Sequence, residues 1–187
     1  MIYPPLPRVW VDMDGVLVNF DKHACKAHGV VYPSNTVLGH SWLYDQLGCT
    51  VDHFLDTVDQ TPDFWQNLEP YPWTAALIQF LDIEFPDWRI LSGGTHNGAS
   101  WGGKVDWVRK HLQLPGLEKL NLVYGARKSH LCRPGDILID DHVLNCNEWL
   151  AAGGRVFQWI AYSEDCPHAL EQLERLKAFL CLAKKNR

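Results

Sequence analysis

The 187-residue chain has no CxxC pair, no apolar run approaching the ~18 residues that span a bilayer, and no surplus of basic charge. Its six cysteines (Cys25, Cys49, Cys132, Cys146, Cys166 and Cys181) are scattered, without histidines at a metal-type spacing. Neither a structural zinc site nor a disulfide scaffold is expected, and the thiols read as reduced. Residues Met1 to Arg8 show neither the charged n-region nor the apolar h-region of a secretion signal, so the cytoplasm is the expected location and no membrane partner is expected. A formal net charge of -5 argues against polymeric nucleic acid, whose phosphates demand a basic face. A small anionic ligand stays open, since a few local cations suffice for it. No internal repeat or low-complexity tract is present, and nothing specifies an oligomeric state.

What is present is a core-forming sequence, 47% hydrophobic with nine tryptophans. Continuous apolar runs at 8–12, 88–92, 121–124, 136–140 and 155–160 read as strands covered on both faces. Between them, Thr74 to Phe85, Lys104 to Leu112 and the stretch after Asp141 carry apolar residues at i, i+3/i+4 spacing, and Pro167 opens a C-terminal helix with a stripe at Leu170, Leu173, Leu176 and Leu180. Strand and helix in alternation predict an α/β fold, a three-layer domain around a parallel sheet. Residues 21–73 break the alternation and are too long for a loop. Helical patterns at Asp21 to His28, Thr50 to Val58 and Phe64-Trp65 make them a small helical cap subdomain inserted after the first strand, with residues 1–20 and 74–187 forming the core domain.

Polar residues collect at the carboxyl ends of the strands, where open parallel sheets bind their ligands. Asp12 and Asp14 sit one residue apart where an apolar run meets Gly15, and Asp140-Asp141 repeats the pattern after Ile137-Leu138-Ile139. Carboxylates crowded this way need a shared cation or a shared proton. A second pair at the same sheet edge favours the cation. Ser92-Gly93-Gly94-Thr95 offers a hydroxyl and backbone N–H groups to an anion, and Arg127-Lys128 offers positive charge. Lys104 reads as the first residue of a helix, which leaves Lys128 as the preferred phosphate-side lysine. His23, His28, His40 and His53 match no standard metal spacing and read as packed or solvated.

The ordered set Asp12-x-Asp14-Gly15, Ser92, Lys128 and Asp140-Asp141 resembles the haloacid dehalogenase superfamily of aspartate-nucleophile phosphatases, over nearly the whole chain. The resemblance implies a Rossmann-like sheet of order 5-4-1-2-3 that brings Asp12 beside Asp141. It makes Asp12 the nucleophile and Asp14 the acid and base, with Ser92, Gly93 and Lys128 on the phosphoryl oxygens. Magnesium is the implied cofactor, held by the Asp12 carboxylate, the Asp14 main-chain carbonyl and the Asp140/Asp141 pair, with Asp141 as the direct ligand and Asp140 acting through water. Further likeness, in Asp12 to Phe20, in Phe64-Trp65-Gln66-Asn67-Leu68-Glu69-Pro70, and in Asn145, Trp149 and Gly153-Gly154, is to the 5'(3')-deoxyribonucleotidase branch. It implies a (deoxy)nucleoside 5'-monophosphate substrate, with Phe20 and Trp65 as aromatic faces for the base. Ser92-Gly93-Gly94-Thr95 departs from the Thr-Ser-Pro or Thr-Ala-Pro types more usual there, which keeps a sugar phosphate or another small phosphomonoester as the alternative, and a non-catalytic binding domain behind both.

Overall fold

The computed structural model describes residues 7–36, 42–112, 118–124 and 127–185. Five strands, β1 (Val9–Val11), β2 (Arg89–Gly93), β3 (Leu120–Val123), β4 (Ile137–Asp140) and β5 (Arg155–Gln158), form one sheet in the order β3-β2-β1-β4-β5, with every neighbouring pair parallel. This is the order and the strand set expected from the sequence, apart from end shifts of a residue or two.

The continuous apolar runs sort by side. Val9, Val11, Ile90, Ile137 and Ile139 face one core with α4 (Thr74–Glu84) and α7 (His168–Lys185), while Trp10, Leu91 and Leu138 face Trp149 of α6 (Val143–Ala151). The three central strands β1, β2 and β4 therefore bury both faces, and alternation is invisible in their sequence because both sides demand apolar residues. Tryptophans pin connections to this core: Trp73 donates through Nε1 to the Val16 carbonyl at 3.0 Å, and Trp149 to the Asp136 carbonyl at 3.1 Å.

Between β1 and α4 lie α1 (Phe20–Ala27), α2 (Trp42–Leu47), α3 (Val51–Gln60) and a 3₁₀ turn at Trp65–Asn67. Asn19 caps α1 by accepting from the Lys22 N–H at 3.1 Å, and Thr50 caps α3 by accepting from the His53 N–H at 3.3 Å. The sequence reading missed α2, a helix of only six residues. Entry and exit of the inserted segment run side by side: Val18 bridges Pro70 in antiparallel fashion, Asn19 N–H donates to the Glu69 carbonyl at 2.9 Å, and Tyr71 N–H donates to the Leu17 carbonyl at 3.1 Å.

Helix α5 (Gly98–His111) begins six residues before the expected start at Lys104. Gly98, Gly102 and Gly103 depress intrinsic helicity and hid the first turns. The Asn97 side chain accepts from the Ala99 N–H at 3.1 Å and supplies the missing start signal. Gly103 sits against Trp65, where a β-carbon would collide with the tryptophan side chain. The glycine is needed for the helix to close on the 3₁₀ turn, and Trp107 secures the contact by donating to the Leu68 carbonyl at 2.7 Å.

Candidate active site

Strand β1 delivers Asp12 to the carboxyl edge of the sheet, where the chain turns sharply: Leu17 and Val18 N–H groups both donate to the Met13 carbonyl. Gly15 takes φ +75° in this turn, and a β-carbon on it would collide with the Asp141 carboxylate. Central β1 and its neighbour β4 therefore bring Asp12, Asp140 and Asp141 together, with one carboxylate oxygen from each lying within 4.8 Å of the others.

Lys128, at the start of a second 3₁₀ turn (Lys128–Leu131), is buried between two of these acids. Its ammonium lies 2.8 Å from Asp12 Oδ1 and 2.7 Å from Asp140 Oδ2. Asp140 is further held by the His142 N–H at 2.8 Å and by Asn145 Nδ2 at 3.2 Å. Burial drives the Asp12 carboxyl up to about 7; Lys128 pulls it down, and the charges of Asp140 and Asp14 add to the rise. Burial, followed by Asp12, Asp140 and Asp21, puts the Asp141 carboxyl well above the usual carboxylate range. Burial alone would lower the Lys128 ammonium, yet Asp12 and Asp140 carry it above its ordinary value. The acids outnumber the lysines, and their donors are all hard oxygens, a set that fits a small divalent cation.

Lys104 was expected at a helix start and stands instead in the interior of α5, fully buried. Its Nζ donates to Asp14 Oδ2 at 2.5 Å, to Ser92 Oγ at 2.9 Å and to the Gly93 carbonyl at 2.6 Å, and it lies 4.8 Å from the centroid of the Trp65 ring. Ser100, Lys104, Trp107 and Val108 share the buried side of α5. A lysine in an otherwise inward-facing stripe is the signal that would have found it, had the helix been started at Gly98.

The Ser92-Gly93 turn offers fewer backbone donors than its glycines suggest. Gly94 N–H is spent on the Val123 carbonyl at 2.9 Å, and Thr95 N–H on Ser100 Oγ at 2.8 Å. A cavity of about 610 Å³ opens above Asp12, Asp14, Gly93, Lys128 and Asp141. Phe20 and Trp65 both line it, stacked at 5.6 Å and 30°. Phe20 is half-buried, whereas only 4% of Trp65 is exposed, with its indole N–H bound to Asp59 at 2.8 Å. Asp21 also faces the cavity from α1, and burial together with the charge of Asp14 pushes its carboxyl up to about 7. Among the described histidines, His28 stacks on Phe54 and none joins an acid cluster. His40 lies outside the described residues.

Sheet order and acidic edge together define a haloacid dehalogenase-like fold. It is shared with a HAD family hydrolase from Deinococcus radiodurans solved with bound phosphate and sodium (17% identity, TM-score 0.52, 96% of each chain covered). A haloacid dehalogenase-like protein from Agrobacterium tumefaciens (14%, TM-score 0.57, 91% of this chain and 90% of that one) and a HAD-superfamily hydrolase from Ehrlichia chaffeensis (13%, TM-score 0.51, 96% and 98%) share it as well. No curated protein matches the sequence significantly. A family model described as "5' nucleotidase, deoxy (Pyrimidine), cytosolic type C protein" matches residues 6–178, and the chain belongs to that family. Family and fold make it a phosphatase of the haloacid dehalogenase type.

Proposed function

We propose that the protein is a magnesium-dependent phosphomonoesterase that hydrolyses (deoxy)nucleoside 5'-monophosphates through an aspartyl-phosphate on Asp12. The observation that carries this reading is the placement of the Asp12 carboxylate on the floor of an aromatic-walled cavity, between Lys128 and the Asp140-Asp141 pair.

In this reading an oxygen of Asp12 attacks phosphorus, the bond to the ester oxygen breaks, and the resulting mixed anhydride is hydrolysed by water. Asp14, one residue beyond the nucleophile and facing the same cavity, gives a proton to the leaving alkoxide and takes one from the attacking water. Lys128 has two protons engaged by Asp12 and Asp140; the third finds no acceptor among the described residues and is available to a phosphoryl oxygen. Ser92 holds a second phosphoryl oxygen, and Gly93 borders it. Magnesium would be held by Asp12, the Asp14 main-chain carbonyl and Asp141, with Asp140 behind them, and would supply charge neutralisation on the phosphoryl group. The engagement of Asp140 by Lys128, His142 and Asn145 supports an indirect role for it and a direct one for Asp141, which the absent β-carbon of Gly15 admits.

The segment 21–73 acts as a cap over the core formed by 1–20 and 74–187. Phe20 presents the more accessible aromatic face to a base, with Trp65 stiffening it from behind. Base stacking of this kind contributes roughly 1–3 kcal/mol. The family's description supports a nucleotide substrate and a cytosolic setting. No helix among the described residues is long and apolar enough to cross a membrane.

Phosphate release measured across deoxynucleotides, ribonucleotides and sugar phosphates, with magnesium and with chelator, tests the proposal. Deoxynucleoside 5'-monophosphates are expected to turn over fastest and chelator to abolish activity. Equal rates on sugar phosphates would remove the nucleotide assignment, and undiminished activity in chelator would remove the metal.

A further inference from the structure

The Lys104 ammonium has three protons and three acceptors within 2.9 Å: Asp14 Oδ2, Ser92 Oγ and the Gly93 carbonyl. It is therefore saturated before any substrate arrives. That separates it from Lys128, which keeps a proton for an incoming oxygen, and the same saturation fixes what its neighbours can do. A serine hydroxyl that accepts from an ammonium turns its own proton away from that ammonium, and the Ser92 hydroxyl makes no other hydrogen bond among the described residues. Asp14 has one oxygen pinned, while Oδ1 is buried with no partner among the described residues. A buried acceptor left unpaired is unfavourable, and a group on the substrate would relieve it.

We propose that Lys104 is the positioning residue of the reaction: it aims the Ser92 proton toward the phosphoryl group and holds Asp14 so that Oδ1 meets the leaving-group oxygen. Its own place is fixed from two sides. Gly103 is in van der Waals contact with Trp65, and the Lys104 ammonium lies over the Trp65 ring, so the aromatic wall and the proton-transfer group share one anchor. A misplaced Asp14 hurts most where the leaving group needs a proton. A misplaced Ser92 hurts all esters alike.

The inference rests on Asp14 acting as the proton donor, and the test separates the two claims. With magnesium present, kcat/KM is measured for phenyl phosphate, whose phenoxide needs protonation, and for p-nitrophenyl phosphate, whose leaving group does not. Lys104→Met is expected to lower the first about 100-fold and the second about 10-fold or less, within the range general acids contribute. Asp14→Asn is expected to show the same selectivity, and the double variant to be no worse on phenyl phosphate than Asp14→Asn alone. A uniform loss in Asp14→Asn removes the proton-donor role itself. Selective loss in Asp14→Asn with uniform loss in Lys104→Met overturns the positioning role alone. Should Lys104→Met not give folded protein, Lys104→Gln reports the same ratio.

Discussion

At the scale of single residues, two positions carry consequences beyond their own side chains. Gly15 combines a left-handed backbone with a contact that admits no β-carbon beside Asp141. Gly15→Ala is expected to cost about 1–3 kcal/mol of stability from the backbone alone. It should also push Asp141 away, weakening magnesium binding at least tenfold; calorimetric titration with the metal and thermal unfolding read the two effects separately. Asp21 works in the opposite direction. Its carboxyl is raised to about 7 by burial and by Asp14, so the folded protein holds a proton that the unfolded chain releases near 3.8. Stability therefore falls as pH rises from about 4 to about 7 and stays reduced above that. Asp21→Asn is predicted to raise the melting temperature at pH 8 in metal-free buffer and to leave it nearly unchanged at pH 3; no gain at pH 8 would contradict the assignment. The sequence showed Asp12, Asp14, Ser92, Lys128, Asp140 and Asp141 because acids and small polar groups at apolar strand ends stand out. It hid the partners of Lys104, because Asp14 is 90 residues away and only the closed fold joins them.

Among elements, the junctions of the inserted segment are the informative parts. Lys22 on α1 reaches Glu69 at the exit at 2.7 Å and Glu164 in the loop before α7 at 2.9 Å. Thr36 and Ser163 exchange hydrogen bonds, and Asn35 N–H donates to Asp165 at 2.8 Å, so residues 35–36 are tied to the loop before α7 at two places. Hydrogen bonding to Lys22 depresses the Glu69 carboxyl. A depressed carboxyl stabilises the fold fully above its unfolded value of 4.5 and loses that contribution as pH falls through the folded value. Lys22→Met should thus lower the melting temperature at pH 6 and make almost no difference at pH 3. Glu69 is more than half exposed, which caps the pair at about 1 kcal/mol. Helix α5 shows where element reading fails. Its glycines argue against a helix locally, while its packing requires them, since Gly103 admits Trp65 and Asn97 supplies the cap. The strands, by contrast, were legible to within a residue or two, because a continuous apolar run has few other places to go, least of all in the buried central strands β1, β2 and β4.

For the whole molecule, the sheet order is what turns scattered motifs into one site. β4 pairs with β1, not β3, so residues 12 and 140–141 become neighbours although the chain between them is most of its length. The three structural relatives share the fold, and the phosphatase class follows from the family match. The same closure buries two lysines at the sheet edge, Lys104 with three acceptors and Lys128 between Asp12 and Asp140. Asp12 is expected to become phosphorylated during turnover. Borohydride added to the enzyme turning over a phosphomonoester with magnesium reduces an acyl-phosphate to an alcohol, which peptide mass spectrometry then locates. Conversion of Asp12 to homoserine is expected, dependent on substrate and absent in Asp12→Asn, which should retain less than about one part in a thousand of the activity. Modification of a different carboxylate, or full turnover by Asp12→Asn, would contradict it.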